Sequence, residues 1–336
     1  MKAIQSVQLV LSHYPSDCRS RKIQSLGSAG GFSGAEFWKV LSPRGPLCLR
    51  KWPKEHPSQS RIDFIHRLLE HVVKKSFTLV PAPIGLDTGS PHTYLQHEGH
   101  FWELARWMPG RADYQENPST EKLKAAAQAL AAFHKAASSF ISPSPHLDIA
   151  PTVQERLAQA TSWIQGDLAQ LEKYSNQSQI IEIKELPQWS HLIVDQAKRQ
   201  IDDIRSELNS IRDSKVPIQA CIRDIWHQHI LYCGEGVSAV IDFGAARPDT
   251  VVTDLVRLLG SLAVSNKSKW KCGLDAYESV YPLNPQERLL IGPLDRSAVL
   301  LSGLNWLRWL YVEKRNFSNE TAVAMRLKQI VARLGK

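Results

Sequence analysis

The first fifteen residues, MKAIQSVQLVLSHYP, interleave apolar positions with Gln and Ser at a spacing that predicts a short amphipathic helix. After it, the runs RKIQSL and AEFWKVL flank a glycine-rich turn that holds Gly27, Gly30, Gly31 and Gly34. A third run, PLCLRKW, follows a Pro-Arg-Gly-Pro turn. Alternating runs joined by such turns predict an antiparallel meander whose first hairpin has a glycine-lined tip. The stretch SQSRIDFIHRLLEHVVKKSF then places apolar residues at 62, 65, 68, 69, 72 and 73, the spacing of one helix face. TLVPAPIGL and HTYLQHEGHFWELARW read as two further strands, so that three strands, a helix and two strands form an α+β part ending near residue 108.

Beyond that point the pattern turns mostly helical. STEKLKAAAQALAAFHKAA is alanine-rich, with Ser119 or Thr120 placed to cap its start, and the Pro/Ser-rich ISPSPHLDIAP interrupts it. In HLIVDQAKRQIDDIRSELNSIR the apolar positions 194, 197, 201, 204, 208 and 211 alternate steps of three and four, which gives one stripe for packing inside the larger part. SAVLLSGLNWLRWLYVEK also reads as packed helix. The expected division is therefore residues 1–108 and 109–336, with no internal repeat.

Composition narrows the function classes. At 336 residues, 43% hydrophobic and 22% charged, the chain can bury a large core and has the make-up of an ordinary soluble globular protein. No run approaches 18 uninterrupted apolar residues and the N-terminal stretch lacks a small-residue cleavage site, so neither a membrane span nor a leader is expected. The five cysteines, 18, 48, 221, 233 and 272, form no C-x-x-C pair, which argues against a zinc site or a disulfide framework and fits a reducing, cytoplasmic setting. Net charge is +8, yet Lys and Arg gather into no stripe, so a nucleic-acid partner is not expected. The charge is uneven. Residues 1–108 carry 14 Lys+Arg against 8 Asp+Glu, which suits a nucleotide phosphate, and residues 140–216 carry 8 against 11, which suits an amino-bearing substrate.

The chemistry concentrates in CIRDIWHQHILYCGEGVSAVIDFGAARPDTVVTDL, residues 221–255. Phosphoryl transfer asks for a carboxylate at the acceptor hydroxyl, hard oxygen ligands for magnesium, a cation on the phosphates and a glycine-rich cover. These pieces occur here in order. The glycine hairpin comes first, then Arg50 and Lys51 on the third run, then Asp224 in an Arg-Asp context. Asp242 stands in an Asp-Phe-Gly turn 18 residues on, and Asp254 twelve beyond that. Five residues after Asp224 stands His229. His227 makes it a His-x-His, with no third ligand evident for zinc.

Taken together, RDIWHQH, IDFG and TDL resemble the aminoglycoside phosphotransferase and choline kinase-like family of small-molecule kinases, and WELARWMPG and LAAFHKA are similar to its hinge strand and its Leu-Ala-x-x-His helix. The resemblance implies an α+β, bilobal protein-kinase-like fold with a small antiparallel-sheet lobe and a larger, mostly helical one. It implies an ATP-dependent transfer of the γ-phosphate to a hydroxyl of a small molecule. Asp224 would be the base, and Asp242 with His229 would hold Mg2+ or Mn2+. Asp254 would brace the catalytic loop. Arg50 would contact phosphate, with Gly30, Gly31 and Gly34 in the covering hairpin. Asp63 or Glu70 would pair with Arg50, Asp63 being preferred, and backbone groups from Arg106 to Met108 would meet adenine. The family writes His-Gly-Asp and a following Asn where this chain has Ile222-Arg223-Asp224 and His229. The alternative is therefore a catalytically weak or inactive kinase-like protein that binds nucleotide.

Overall fold

The structure is a computed structural model that describes residues 2–19, 22–28, 34–87, 89–144, 146–177, 183–317 and 319–334. In chain order the elements are α1 (Lys2–Leu11), β1 (Lys22–Gly27), β2 (Glu36–Ser42), β3 (Gly45–Lys51), α2 (Gln59–Lys74), β4 (Tyr94–His97) and β5 (His100–Arg106). Then follow α3 (Thr120–Ala137), β6 (His146–Ile149), α4 (Pro151–Ser162), α5 (Leu168–Gln177), α6 (Leu186–Ser210), β7 (Lys215–Cys221), β8 (Ile230–Cys233) and β9 (Gly236–Val240). The chain closes with β10 (Arg247–Asp249), α7 (Val252–Ala263), α8 (Lys267–Glu278), α9 (Pro285–Leu307) and α10 (Glu320–Leu334). Packing gathers these into two compact units, one of Met1–Asp113 with Gln228–Arg247, the other of Tyr114–His227 with Pro248–Lys336.

In the first unit five strands form an antiparallel sheet in the order β1-β2-β3-β5-β4. Its core joins Val7, Val10 and Leu11 of α1 to Trp38, Val40, Leu47, Leu49, Trp102 and Leu104 of the strands. Alternation explains the membership: on β2 and β3 every second residue faces inward. α2 buries Ile62, Ile65, Leu68, Leu69 and Val72, the stripe its spacing predicts. The run TLVPAPIGL is not a strand; only Pro83 makes an isolated bridge, to Ala105. Pro81 and Pro83 have no N–H to give to a ladder, and the strand partner comes instead from β4, in the following run.

The second unit is mainly helical, with a small sheet in the order β10-β7-β6. α3 starts at the Ser119 cap, whose hydroxyl accepts from the Lys122 N–H at 3.0 Å. The α6 stripe Val194, Ala197, Ile201, Ile204 and Leu208 is buried against α9, α4 and α10. The interruption after α3 holds β6, paired antiparallel with β7, a mostly exposed four-residue strand that its Pro/Ser-rich surroundings do not announce. Among the described residues no helix is long and apolar enough to cross a membrane.

Candidate active site

Arg50 sits on β3 directly opposite Glu103 of β5 in the strand register. Its guanidinium lies 3.9 Å from Glu103 Oε1 and 3.7 Å from Asp242 Oδ1, and stacks 3.3 Å over the Trp52 ring. Its Nε is buried and has no acceptor among the described residues. Glu103 Oε2 accepts from Trp52 Nε1 and from His66 Nε2, both at 2.8 Å, and His66 Nδ1 lies 2.5 Å from the Thr93 hydroxyl. Asp63, the expected partner of Arg50, accepts instead from the Tyr94 hydroxyl at 2.7 Å and lies 3.5 Å from His92. The helix face turned towards Glu103 and Arg50 presents His66, so the carboxylate beside Arg50 is supplied by the neighbouring strand. The sequence signal for this arrangement was slight: His66 is four residues after Ile62, a polar residue on an apolar stripe.

Burial by itself would raise the Glu103 carboxyl. The hydrogen bond and charge of His66, the charge of Arg50 and the Trp52 N–H outweigh it and hold the carboxyl below its usual range. A carboxylate depressed in the folded state stabilises most above its unfolded value of about 4.3, and that contribution is lost as pH falls through the folded value. Glu103→Gln is therefore expected to cost about 1–3 kcal/mol at neutral pH. Its melting temperature should fall less than the wild type's between neutral pH and pH about 3. Thermal melts of both proteins across that range check this.

Asp242 follows β9 in the left-handed region, at φ 62°. The Ile241 N–H donates to the His229 carbonyl at 2.9 Å, which brings the two side chains together, and His229 Nε2 lies 3.6 Å from Asp242 Oδ2. Two atoms bound to one divalent ion are roughly 3–4 Å apart, so this pair fits a shared cation. The Ala246 carbonyl, in the same turn, accepts from Arg61 of α2 at 2.5 Å. Arg106 ends β5, and the Trp107 N–H is already given to the Pro46 carbonyl at 3.1 Å. Met108 is followed by Pro109, whose carbonyl accepts from Ser238 of β9, and by Gly110 at φ 100°. A Cβ on Gly110 would meet Ser238 Oγ at 2.2 Å and the Tyr232 carbonyl at 2.7 Å, so only glycine lets this segment lie against β8 and β9. Gly34 has φ 75°, and Gly30 and Gly31 lie outside the described residues.

In the second unit Asp224 follows β7, and α7 braces its loop. Both oxygens of buried Asp254 accept backbone N–H groups, from Ile222 and Arg223, at 2.6 Å each. His134 Nε2 donates to the same carboxylate at 3.1 Å, and its Nδ1 is 2.6 Å from the Tyr277 hydroxyl. One turn after Asp254 on α7, Arg257 contacts Asp224 Oδ1. Arg223 has φ 69°, where the family's glycine would carry no penalty; its guanidinium is held by buried Asp249 and by Glu155 at 2.5 Å. His134, Cys221 and Asp254 include ligand types for a cation within 4.8 Å of one another. His134 and Asp254 are committed to the bonds above, and the Cys221 thiol donates to the Asp249 carbonyl at 3.3 Å while burial pushes it well above its usual range. The cluster is a structural brace. Sequence reasoning missed Glu103, His66 and Arg257; for Arg257 the only signal was its i+3 spacing from Asp254.

Residues 27–271 match the model of the phosphotransferase enzyme family. The chain belongs to that family. Three solved structures share the fold of this phosphotransferase. An aminoglycoside phosphotransferase from Alicyclobacillus acidocaldarius is 17% identical, with a TM-score of 0.62 over 98% of this chain and 94% of that one. A spectinomycin phosphotransferase in complex with ADP and spectinomycin is 12% identical, with a TM-score of 0.68 over 98% and 96%. A microcompartment-associated aminopropanol kinase is 13% identical, with a TM-score of 0.64 over 98% and 95%. No curated protein matches. The fold is thus the kinase-like one implied by the motifs, and family membership supports a phosphotransferase acting on a small molecule.

Proposed function

We propose that this phosphotransferase moves the γ-phosphate of ATP to a hydroxyl of a small molecule, with a divalent metal. The reading is carried by the meeting of Arg50, Asp242 and His229: a guanidinium with an unfilled buried Nε beside a carboxylate and an imidazole. In the proposed roles Arg50 binds phosphate, steadied by Glu103. Asp242 and His229 hold Mg2+ or Mn2+, which when bound neutralises phosphate charge. Asp224 takes the proton of the acceptor hydroxyl, Arg257 releasing one oxygen to do so. Backbone groups near Met108 meet adenine, and the hairpin that includes Gly34 covers the phosphates.

Calorimetric titration with ATP and either metal, followed by phosphotransfer to a panel of hydroxyl compounds, tests this. Binding and turnover support it. ATP binding without turnover in either metal, unchanged in Asp224→Asn, would favour the inactive reading that the imidazole at 229 raises. Nitrogen suits manganese better than magnesium. His229→Asn is accordingly expected to shift the ratio of magnesium- to manganese-supported rates towards magnesium, by about tenfold, the rate equivalent of one modest ligand contact. Equal ratios in both proteins would mean that the imidazole does not ligate.

A further inference from the structure

The acidic excess of residues 140–216 is consumed within the fold. Glu155 holds Arg223, Asp167 holds Arg308, Glu172 holds Lys198, and Glu207 holds Arg296. The charge left over around Asp224 has the opposite sign. Arg326 of α10 stacks 4.4 Å over the ring of Trp226, two residues after Asp224, and has no carboxylate partner among the described residues. Seven residues along the same face of α10, Arg333 does have one, Asp295 at 2.6 Å, and lies against Gly260 of α7. Arg257 shares Asp224, and its buried Nε has no acceptor among the described residues. Burial and the charge of Arg257 push Arg326 down to about 10, against the pull of Asp224. Fully buried Arg156, held by the Leu294 carbonyl and by Ser297 Oγ at 3.0 Å, is pushed down to about 9 by burial, Arg257 and Arg223.

Arginines buried with donors unfilled are costly unless an anion joins them. A packing role needs only the aliphatic stem and the stacked plane, and neither explains donors left unfilled beside the catalytic loop. α10 also lies beyond residues 27–271, the stretch matched to the family, so the family match by itself assigns Arg326 no role. We propose that Arg326, together with Arg257, binds an oxyanion on the acceptor, so that the substrate is a hydroxyl compound carrying a carboxylate or a phosphate. The inference rests on the kinase reading and names the substrate class of the same site. It is an alternative to the amino-bearing acceptor that the acidic excess of residues 140–216 suggested. Arg257 exchanges part of its contact with Asp224 for the incoming anion, which frees Asp224 to take the hydroxyl proton.

The test pairs anionic hydroxyl compounds with an uncharged and a cationic one. The full chain, with MgATP or MnATP affinity measured first, is titrated with glycerate and glycerol 3-phosphate and, in parallel, with glycerol and ethanolamine. Binding is followed by heat and phosphotransfer by ADP release. At least one anion is expected to bind in a salt-sensitive way and to accept phosphate in preference to the alcohol and the amine. Which anion is preferred distinguishes carboxylate from phosphate. Arg326→Met, which keeps the stem over Trp226, is expected to weaken anion binding by about tenfold or more, and Arg326→Lys to recover part of it. Where a melting curve shows Arg326→Met to be poorly folded, Arg326→Lys and competition by inorganic phosphate in the wild type carry the same comparison. No preference for anions, or a preference untouched in both variants, overturns the proposal. Loss of ATP binding overturns the kinase reading instead, and the separate affinity measurement tells the two failures apart.

Discussion

Asp224→Asn is expected to lower kcat by about two to four orders of magnitude, the contribution of a positioned general base. The amide keeps the size of the side chain and can still face Arg257, but it has no lone pair basic enough to take a hydroxyl proton. Asp224 is exposed and is not a core residue, so the melting temperature should stay close to the wild type's. ATP affinity should hold as well, because Arg50, Asp242 and His229 are untouched. Single-turnover phosphotransfer, calorimetric ATP binding and a thermal melt separate these quantities. A fall in stability that tracks the fall in rate would assign Asp224 a structural role.

Asp254→Ala carries the largest expected loss of stability, about 3–5 kcal/mol, the range for removing one partner from a buried charged network. The carboxylate is fully buried and accepts from two backbone N–H groups and from His134. Its removal strands all three donors away from water. It also frees Arg223 from the constraint that keeps it at φ 69°, so the loop that presents Asp224 should lose its shape. Denaturant unfolding measures the first effect. Amide exchange at Ile222 and Arg223, slow in the wild type and fast in the variant, measures the second. A cost under about 1 kcal/mol would mean that water replaces the carboxylate.

Much of the fold was legible because periodicity reports burial. The α2 and α6 stripes, the β1–β3 meander and the Ser119 cap follow from spacing and from local hydrogen-bonding rules, which need no knowledge of distant residues. β6 and the loop around Pro83 were misread because strand pairing depends on which edge is free, a property that no window of sequence contains. Among the candidate residues Asp224, Asp242, His229 and Arg50 stood out by residue type and order. Asp63 was the wrong partner for Arg50 because helical spacing leaves several residues as candidates, whereas the β3–β5 register sets Glu103 opposite Arg50.

The sequence alone therefore determined the family, the order of its motifs and the faces that each helix and strand buries, all of them local or cumulative properties of the chain. Tertiary structure alone decided which charges meet. It packed residues 228–247 with the first 113, paired Glu103 with Arg50 and His66, gave Asp224 to Arg257 and left Arg326 with no carboxylate partner among the described residues. The physical reason is range. Hydrophobic periodicity is written in steps of two to four residues, while the energy of a buried charge depends on neighbours that only folding brings within a few ångströms.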